Sequence, residues 1–412
     1  MKRYLLFITL MVIVLGVGIY QSVDKDERVP AVAMYQGNNQ HTGVYETQGL
    51  TTFEQVKWKF KTGGPINSAP IVDEHIVYIG SDDDCLYALD IQSGKEIWKY
   101  QTKGDIRSTS CINKDYIFFL SEDGNLYTLN KHIGEKRWHF SSGDRITKNE
   151  LTEVIVAGSP AVENETVFFG SYDGHMYALD VETGDMKWKF KTGAGVKSSP
   201  ALYKGKVYFG SFDGYMYCLD MKDGSLKWKY QIKPHPNSPI WEIQSSPTIY
   251  EDIVYFGSID HCIYALDSRT GKERWAKYFA DQPIYSTLAY KEGVLYHGTL
   301  GWHNPRVCAV EADGKIKWKF QVKDRGIWDS KGNVYIGSWM NDNLRFFASP
   351  VIAGEMLYIG SWDKNLYALD INTGEMQWKF TTEGPIGASA AVKDGIVYVG
   401  SYDGYIYALS GK

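Results

Sequence analysis

The stretch Val207–Tyr230, VYFGSFDGYMYCLDMKDGSLKWKY, decides how this chain is read. It contains three short apolar-rich runs, VYFG, YMYCLD and LKWKY, in which apolar and polar residues alternate with the period of a strand. S-F-D-G separates the first two runs, and D-M-K-D-G separates the second and third. Gly and Asp accept the positive φ of a tight hairpin, so both separators read as turns. The segment just before, Ser198–Leu202 (SSPAL), supplies a fourth and innermost strand.

The unit recurs as VFFGSYDGHMYALDVETGDMKWKF (Val167–Phe190) and LYIGSWDKNLYALDINTGEMQWKF (Leu357–Phe380). A Trp closes each copy, at Trp58, Trp98, Trp138, Trp188, Trp228, Trp275, Trp318 and Trp378, with spacings of 40, 40, 50, 40, 47, 43 and 60 residues. A period near 40 with four short strands predicts β-propeller blades. Innermost segments begin near Ser68, Ser108, Gly158, Ser198, Ser245, Ser286, Ala348 and Ala388, which again makes eight. The first Trp strand, Val56–Phe60, has no inner strands before it, and the last unit, Gly387–Leu409, has no Trp strand after it. The expected fold is therefore all-β: an eight-bladed propeller over residues 31–412, whose N-terminal strand completes the C-terminal blade and removes the free sheet edges. The Trp rings are expected to pack between blades.

Before the propeller, Lys2 and Arg3 precede an apolar run, Tyr4–Tyr20, followed by the polar Gln21–Arg28. A basic head before an apolar helix reads as an export segment, either an uncleaved N-in anchor or a cleaved signal. No Cys for a lipid anchor stands in or just after it, and the only A-x-A, Ala31–Ala33, lies far downstream behind charges. Residues beyond about 30 are expected on the extracytoplasmic side, anchored to the membrane or secreted, with the membrane touched through the N-terminal segment alone. The net charge of −5 argues against nucleic acid as a partner. Five scattered Cys, at positions 85, 111, 218, 262 and 308, lack the close pairing of metal ligands and read as small apolar fillers. The one-per-blade Asp residues read as turn formers rather than calcium ligands.

The motif Ala-Leu-Asp-x-x-Thr-Gly-x-x-x-Trp, at Ala178–Trp188 and Ala368–Trp378, resembles the repeat of the pyrroloquinoline-quinone-like propeller family over about residues 50–412. The resemblance implies the fold and leaves the activity open, because one fold hosts many functions. The family includes quinone-dependent alcohol dehydrogenases, which carry two adjacent Cys against the cofactor and acidic and Asn ligands for calcium. It also includes non-enzymatic, BamB-like scaffold propellers. This chain has no Cys-Cys and is little more than bare repeats, so the resemblance implies the second group, with no cofactor and no catalytic residues.

The insertions point to one face. Relative to the shortest interblade link, Lys191–Lys197, the link Ser141–Ala157 is longer by ten residues, Gln231–Gln244 by seven and Gln321–Phe347 by twenty. The enlarged hairpin Thr299–Arg306 belongs to the same face, whereas the opposite turns are all short. Elaboration of one face marks the binding side of a repeat array. Candidate binding residues there are Trp241, Trp302, His303, Trp328, Trp339 and Arg345, together with a ring of one residue per blade ahead of the inner strands: Asn67, Arg107, Ala157, Lys197, Gln244, Tyr285, Phe347 and Gly387. Such a mixture could hold an anionic or peptide ligand, or only solvate a channel rim. The expected function is a monomeric binding scaffold presenting this face to a protein or cell-envelope component. A glycan or small-ligand sensor is the alternative, and a quinone-dependent dehydrogenase is less favoured.

Overall fold

The computed structural model describes residues 34–142, 158–233, 241–279, 283–299, 306–321 and 348–412. The apolar N-terminal run lies outside the described residues; among the described ones, no helix is long and apolar enough to cross a membrane.

Eight sheets radiate about one channel. The blade of the quoted repeat, blade 4, is a meander of Ala201–Tyr203, Lys206–Gly210, Tyr215–Asp220 and Leu226–Gln231. Blades 1 to 7 each repeat this order and begin with the inner strands at Ile71, Cys111, Ala161, Ala201, Thr248, Ala289 and Val351. Blade 8 takes its three inner strands from the C-terminus and its outer strand, Phe53–Lys61, from near the N-terminus, with Lys61 opposite Tyr405 and Val56 opposite Leu409.

The alternation expected from sequence holds only in the outer strands. In Leu226–Gln231, Trp228 is buried and Tyr230 half-buried between exposed residues, whereas Val207–Gly210 and Met216–Leu219 are buried throughout. The reason is geometric. The middle strands are sandwiched by neighbouring blades on both faces, so both faces must be apolar. Tyr78, Leu86 and Ala88 of blade 1 accordingly share a core with Ile117, Phe119 and Leu129 of blade 2.

The closing Trp residues join blade to blade. The indole N–H of Trp188 donates to the Met221 carbonyl in the next blade at 3.0 Å, and that of Trp228 to the Ser268 carbonyl at 2.9 Å. Each such buried bond contributes about 1 kcal/mol beyond the burial of the ring. The Asp-x-x-x-Gly turn of the next blade must come close to the ring. At Gly224, with φ +70°, a Cβ would lie 2.7 Å from Trp188 Cδ2, so Gly is required for both its backbone and its missing side chain. Blade 8 has no such turn. Trp378 instead donates to the Leu50 carbonyl at 2.8 Å, in the segment leading to the outer strand of that blade.

Residues 34–45, which carry no repeat signature, enter the channel. The carbonyls of Asn39, Gln40, Thr42 and Gly43 accept hydrogen bonds from the N–H groups of Leu202, Ile249, Tyr290 and Ile352 at 2.7–2.9 Å. Val44–Tyr45 then pairs in parallel with the inner strand of blade 7. The segment thus satisfies the channel-facing edges of blades 4 to 7, which an empty ring would leave unpaired. Met34, Gln36 and His41 are buried. Burial holds His41 down to about 4, and its Nδ1 faces the Pro247 carbonyl at 3.1 Å, so a neutral ring with hydrogen on Nδ1 fits the site.

Candidate functional site

Above this plug the channel opens into a cup of about 210 Å³, with Tyr35 of the plug among its lining. Its position follows from the interblade links. Each link whose end is among the described residues closes on an apolar residue whose N–H bonds to the hairpin of the preceding blade, as with Ile106 to Ser81 O at 3.1 Å, Val196 to Ser171 O at 2.9 Å and Ile243 to Ser211 O at 3.2 Å. The next residue reaches the channel. Asn67, Arg107, Lys197, Gln244, Tyr285 and Gly387 all line the one cup, although they are scattered over 320 positions of sequence. Trp241 stands outside it, 48% exposed on the same face, with its carbonyl against Gly214 of the blade 4 hairpin. Trp302, His303, Trp328, Trp339, Arg345, Ala157 and Phe347 lie outside the described residues, as do most residues of the insertions. The described residues that flank the insertions sit on the cup face: Ser142 bonds Gly124 of a hairpin, Ile232 bonds Gly214, and Gly158, Gln244 and Ala348 line the cup.

The two cations of the ring differ in their surroundings. Arg107 holds Asp82 with two parallel bonds, Nε–Oδ1 at 3.0 Å and Nη2–Oδ2 at 2.9 Å. It also meets Asp105 at 2.7 Å and Glu122 at 3.0 Å, and only 10% of its side chain is exposed. Asn67 donates to the same Asp82 carboxylate at 2.7 Å. Burial opposes the guanidinium charge, but the carboxylates outweigh it and raise its pKa. Burial, and then the Asp82 charge, push Asp105 up to about 6 against the pull of Arg107. Arg107 is therefore a clamp between blades 1 and 2, and its charge is already neutralised within the protein.

Lys197 has one hydrogen bond among the described residues, to Gln244 Oε1 at 3.2 Å. The other end of that amide donates to Glu242 at 2.8 Å, so Gln244 bridges Lys197 and the Glu242 carboxylate. Burial pulls the ammonium down to about 8, with Glu242 acting in the opposite sense.

Below the ring runs a belt of hydroxyls. The N–H of Ala69 donates to Thr109 Oγ1 at 3.2 Å, Thr109 N–H to Ser159 Oγ at 3.0 Å, Ser159 N–H to Ser199 Oγ at 2.8 Å and Ser199 N–H to Ser246 Oγ at 2.9 Å. Each bond ties one blade to the next. In the later blades the hydroxyls at this level meet the plug: Thr287 and Ser349 contact the Tyr35 hydroxyl at 2.9 and 3.0 Å, and Ser389 accepts from Gln36 at 3.3 Å.

A second ring surrounds the mouth, and the sequence reading did not see it. The middle residue of each Ser-x-Asp hairpin is Asp82, Glu122, Tyr172, Phe212, Ile259, Trp362 or Tyr402. Tyr172 packs edge-on against Phe212 at 5.5 Å, and Trp362 packs against Tyr402 at 5.9 Å. Aligning the repeats and reading down that single column would have shown it: acidic in blades 1 and 2, apolar or aromatic in the others. The following Asp is structural. Asp213 accepts from Tyr217 at 2.7 Å and from the N–H groups of Tyr215 and Gly193 at 3.1 and 2.7 Å.

A sequence profile of the family described as outer membrane protein assembly factor BamB matches residues 50–154, 140–288 and 260–412. The chain belongs to the BamB family. No curated protein sequence matches it. Among solved structures it is similar to BamB from Moraxella catarrhalis, with 17% identity and a TM-score of 0.66 over 87% of this chain and 98% of that one. It is also similar to a europium-containing methanol dehydrogenase, with 15% identity and a TM-score of 0.71 over 92% of this chain and 91% of that one. A third likeness is to the quinohemoprotein alcohol dehydrogenase from Comamonas testosteroni, with 16% identity and a TM-score of 0.74 over 93% of this chain and 81% of that one. At these identities the likeness shows the fold alone.

The dehydrogenase likeness raises the question of a quinone with its calcium. Among the described residues, the cup lining of this BamB-family chain contains no carboxylate, and its one Asn, Asn67, is bonded to Asp82. No cluster of three metal-ligating side chains occurs among them. All five Cys are buried and none forms a disulfide. The described residues do not fit a calcium-assisted quinone site.

Proposed function

We propose that this chain is a non-enzymatic binding scaffold that docks a protein or cell-envelope partner on its cup face, on the extracytoplasmic side of the membrane. The observation that carries the reading is the asymmetry of the two faces. The cup face has the half-exposed Trp241, the Tyr172–Phe212 and Trp362–Tyr402 pairs, the acidic sector of blades 1 and 2 and the ends of every insertion. The turns of the opposite face expose Gln92, Glu182, Lys222, Arg269 and Asn372, with Ile133 and the stacked Tyr250 as exceptions. Aromatic anchors beside charge are the composition of protein interfaces. Membership of the BamB family supports the same reading. The test is photo-crosslinking of the full chain in its native envelope, with the reactive residue placed at Phe212 or Trp241 on one face and at Glu182 or Lys222 on the other. Discrete adducts from the first pair alone are expected. Equal labelling from both faces, or none from the cup face, would overturn the proposal. A second reading, a small-ligand sensor, is favoured by the polar lining of the cup.

A further inference from the structure

Blades 2 to 5 present four hydroxyls to the cup, on Thr109, Ser159, Ser199 and Ser246. All four are buried, at 4–6% exposure. A hydroxyl has one hydrogen to donate and two lone pairs. In each case a backbone N–H from the preceding blade already occupies a lone pair. None of the four hydroxyl hydrogens has an acceptor among the described residues. In blades 6 to 8 the plug takes up the equivalent groups through Tyr35 and Gln36. The belt is thus divided into a sector in contact with the plug and a sector, in blades 2 to 5, whose hydroxyl hydrogens have no acceptor among the described residues. Lys197 stands over the second sector, two residues before Ser199, with one amide oxygen for its ammonium. Donors without acceptors beside a cation whose bonded partner is a neutral amide are the complement of an oxyanion.

We infer that the sector of the cup formed by Lys197, Thr109, Ser159, Ser199 and Ser246 binds a small oxyanion, the carboxylate or phosphate group of a low-molecular-weight ligand. Arg107 does not contribute, because Asp82, Asp105 and Glu122 occupy its donors. The inference does not depend on the docking of a partner and is tested without one. The purified full-length chain, in mild detergent and a chloride buffer near neutral pH, is titrated calorimetrically with inorganic phosphate and with acetate. One saturable site per chain is expected, lost by about tenfold or more in Lys197→Met and weakened several-fold in Ser199→Ala and Ser246→Ala, with unchanged circular dichroism in all three. Lys197→Arg, which keeps the charge, should retain part of the affinity. Binding of phosphate alone would support the inference and assign a phosphate-bearing ligand, and binding of acetate alone would support it and assign a carboxylate. Absence of saturable binding for both probes, or binding that survives Lys197→Met, would overturn it.

Discussion

Arg107 and Lys197 occupy the same position in the repeat, two blades apart, and the fold treats them in opposite ways. Arg107 has three carboxylates within 3.0 Å, two of them from hairpins of neighbouring blades. Lys197 has an amide. Their difference lies in the partner column. The hairpin residues facing Arg107 are Asp82 and Glu122, whereas those of blades 3 and 4 are Tyr172 and Phe212. A ring position in a repeat protein therefore has no fixed role. The adjoining column decides whether a cation becomes a clamp or remains available.

The comparison breaks most visibly at Arg107. Arg107→Met leaves Asp82, Asp105 and Glu122 facing one another and should lower stability by about 3 kcal/mol, read as a reduced urea midpoint. The deficit should depend on pH. The folded pKa of Asp105 is raised to about 6, so the stability linked to its protonation is present in acid and is lost as pH rises through 6. Without Arg107 the repulsion is greater, so the deficit should be largest above pH 6 and narrow below it. A deficit independent of pH would show that Arg107 acts through packing.

Asp82→Asn removes the two-bonded partner of Arg107 and one partner of Asn67 while leaving Asp105 and Glu122 in place, and about 2 kcal/mol is expected. A loss as large as that of Arg107→Met would mean that Asp82 alone makes the clamp. Lys197→Met should change stability by less than about 0.5 kcal/mol near neutral pH, since the lost amide bond is offset by removal of a desolvated charge. The Lys197 pKa is lowered to about 8, so wild type should gain on the Met variant as pH rises through 8 and above, where the buried ammonium loses its proton. A large loss at neutral pH would place Lys197 with Arg107 as a structural cation.

Much of the fold was legible because it repeats. Eight Trp at near-constant spacing gave the blades, and the ring residues could be placed together because each stands at a fixed offset before a small residue. Residues 34–50 do not repeat. YQGNNQHTG reads as a polar linker, and nothing local in it reports that Gln36 and His41 are buried. Beside the side-chain bonds of Tyr35, Gln36 and His41, it is held by carbonyls meeting the N–H groups of four blades, and such backbone pairing leaves no side-chain signature. The neutralisation of Arg107 escaped for a related reason: Asp105 is local, but the other two partners lie 25 positions before it and 15 after it, and only the assembled ring brings them together.

The sharing of blade 8 between the two ends of the chain has a consequence for the order of synthesis. Lys61 emerges from the ribosome about 340 residues ahead of Tyr405, its partner, and typical elongation rates make that interval roughly 20 to 70 s. Throughout it, Phe53–Lys61, with its three aromatic side chains, has no blade to complete, and the ring cannot close around the plug. A nascent chain of this kind needs either a holding partner or a late, concerted closure, and truncating its last few residues should be as damaging as truncating its first strand.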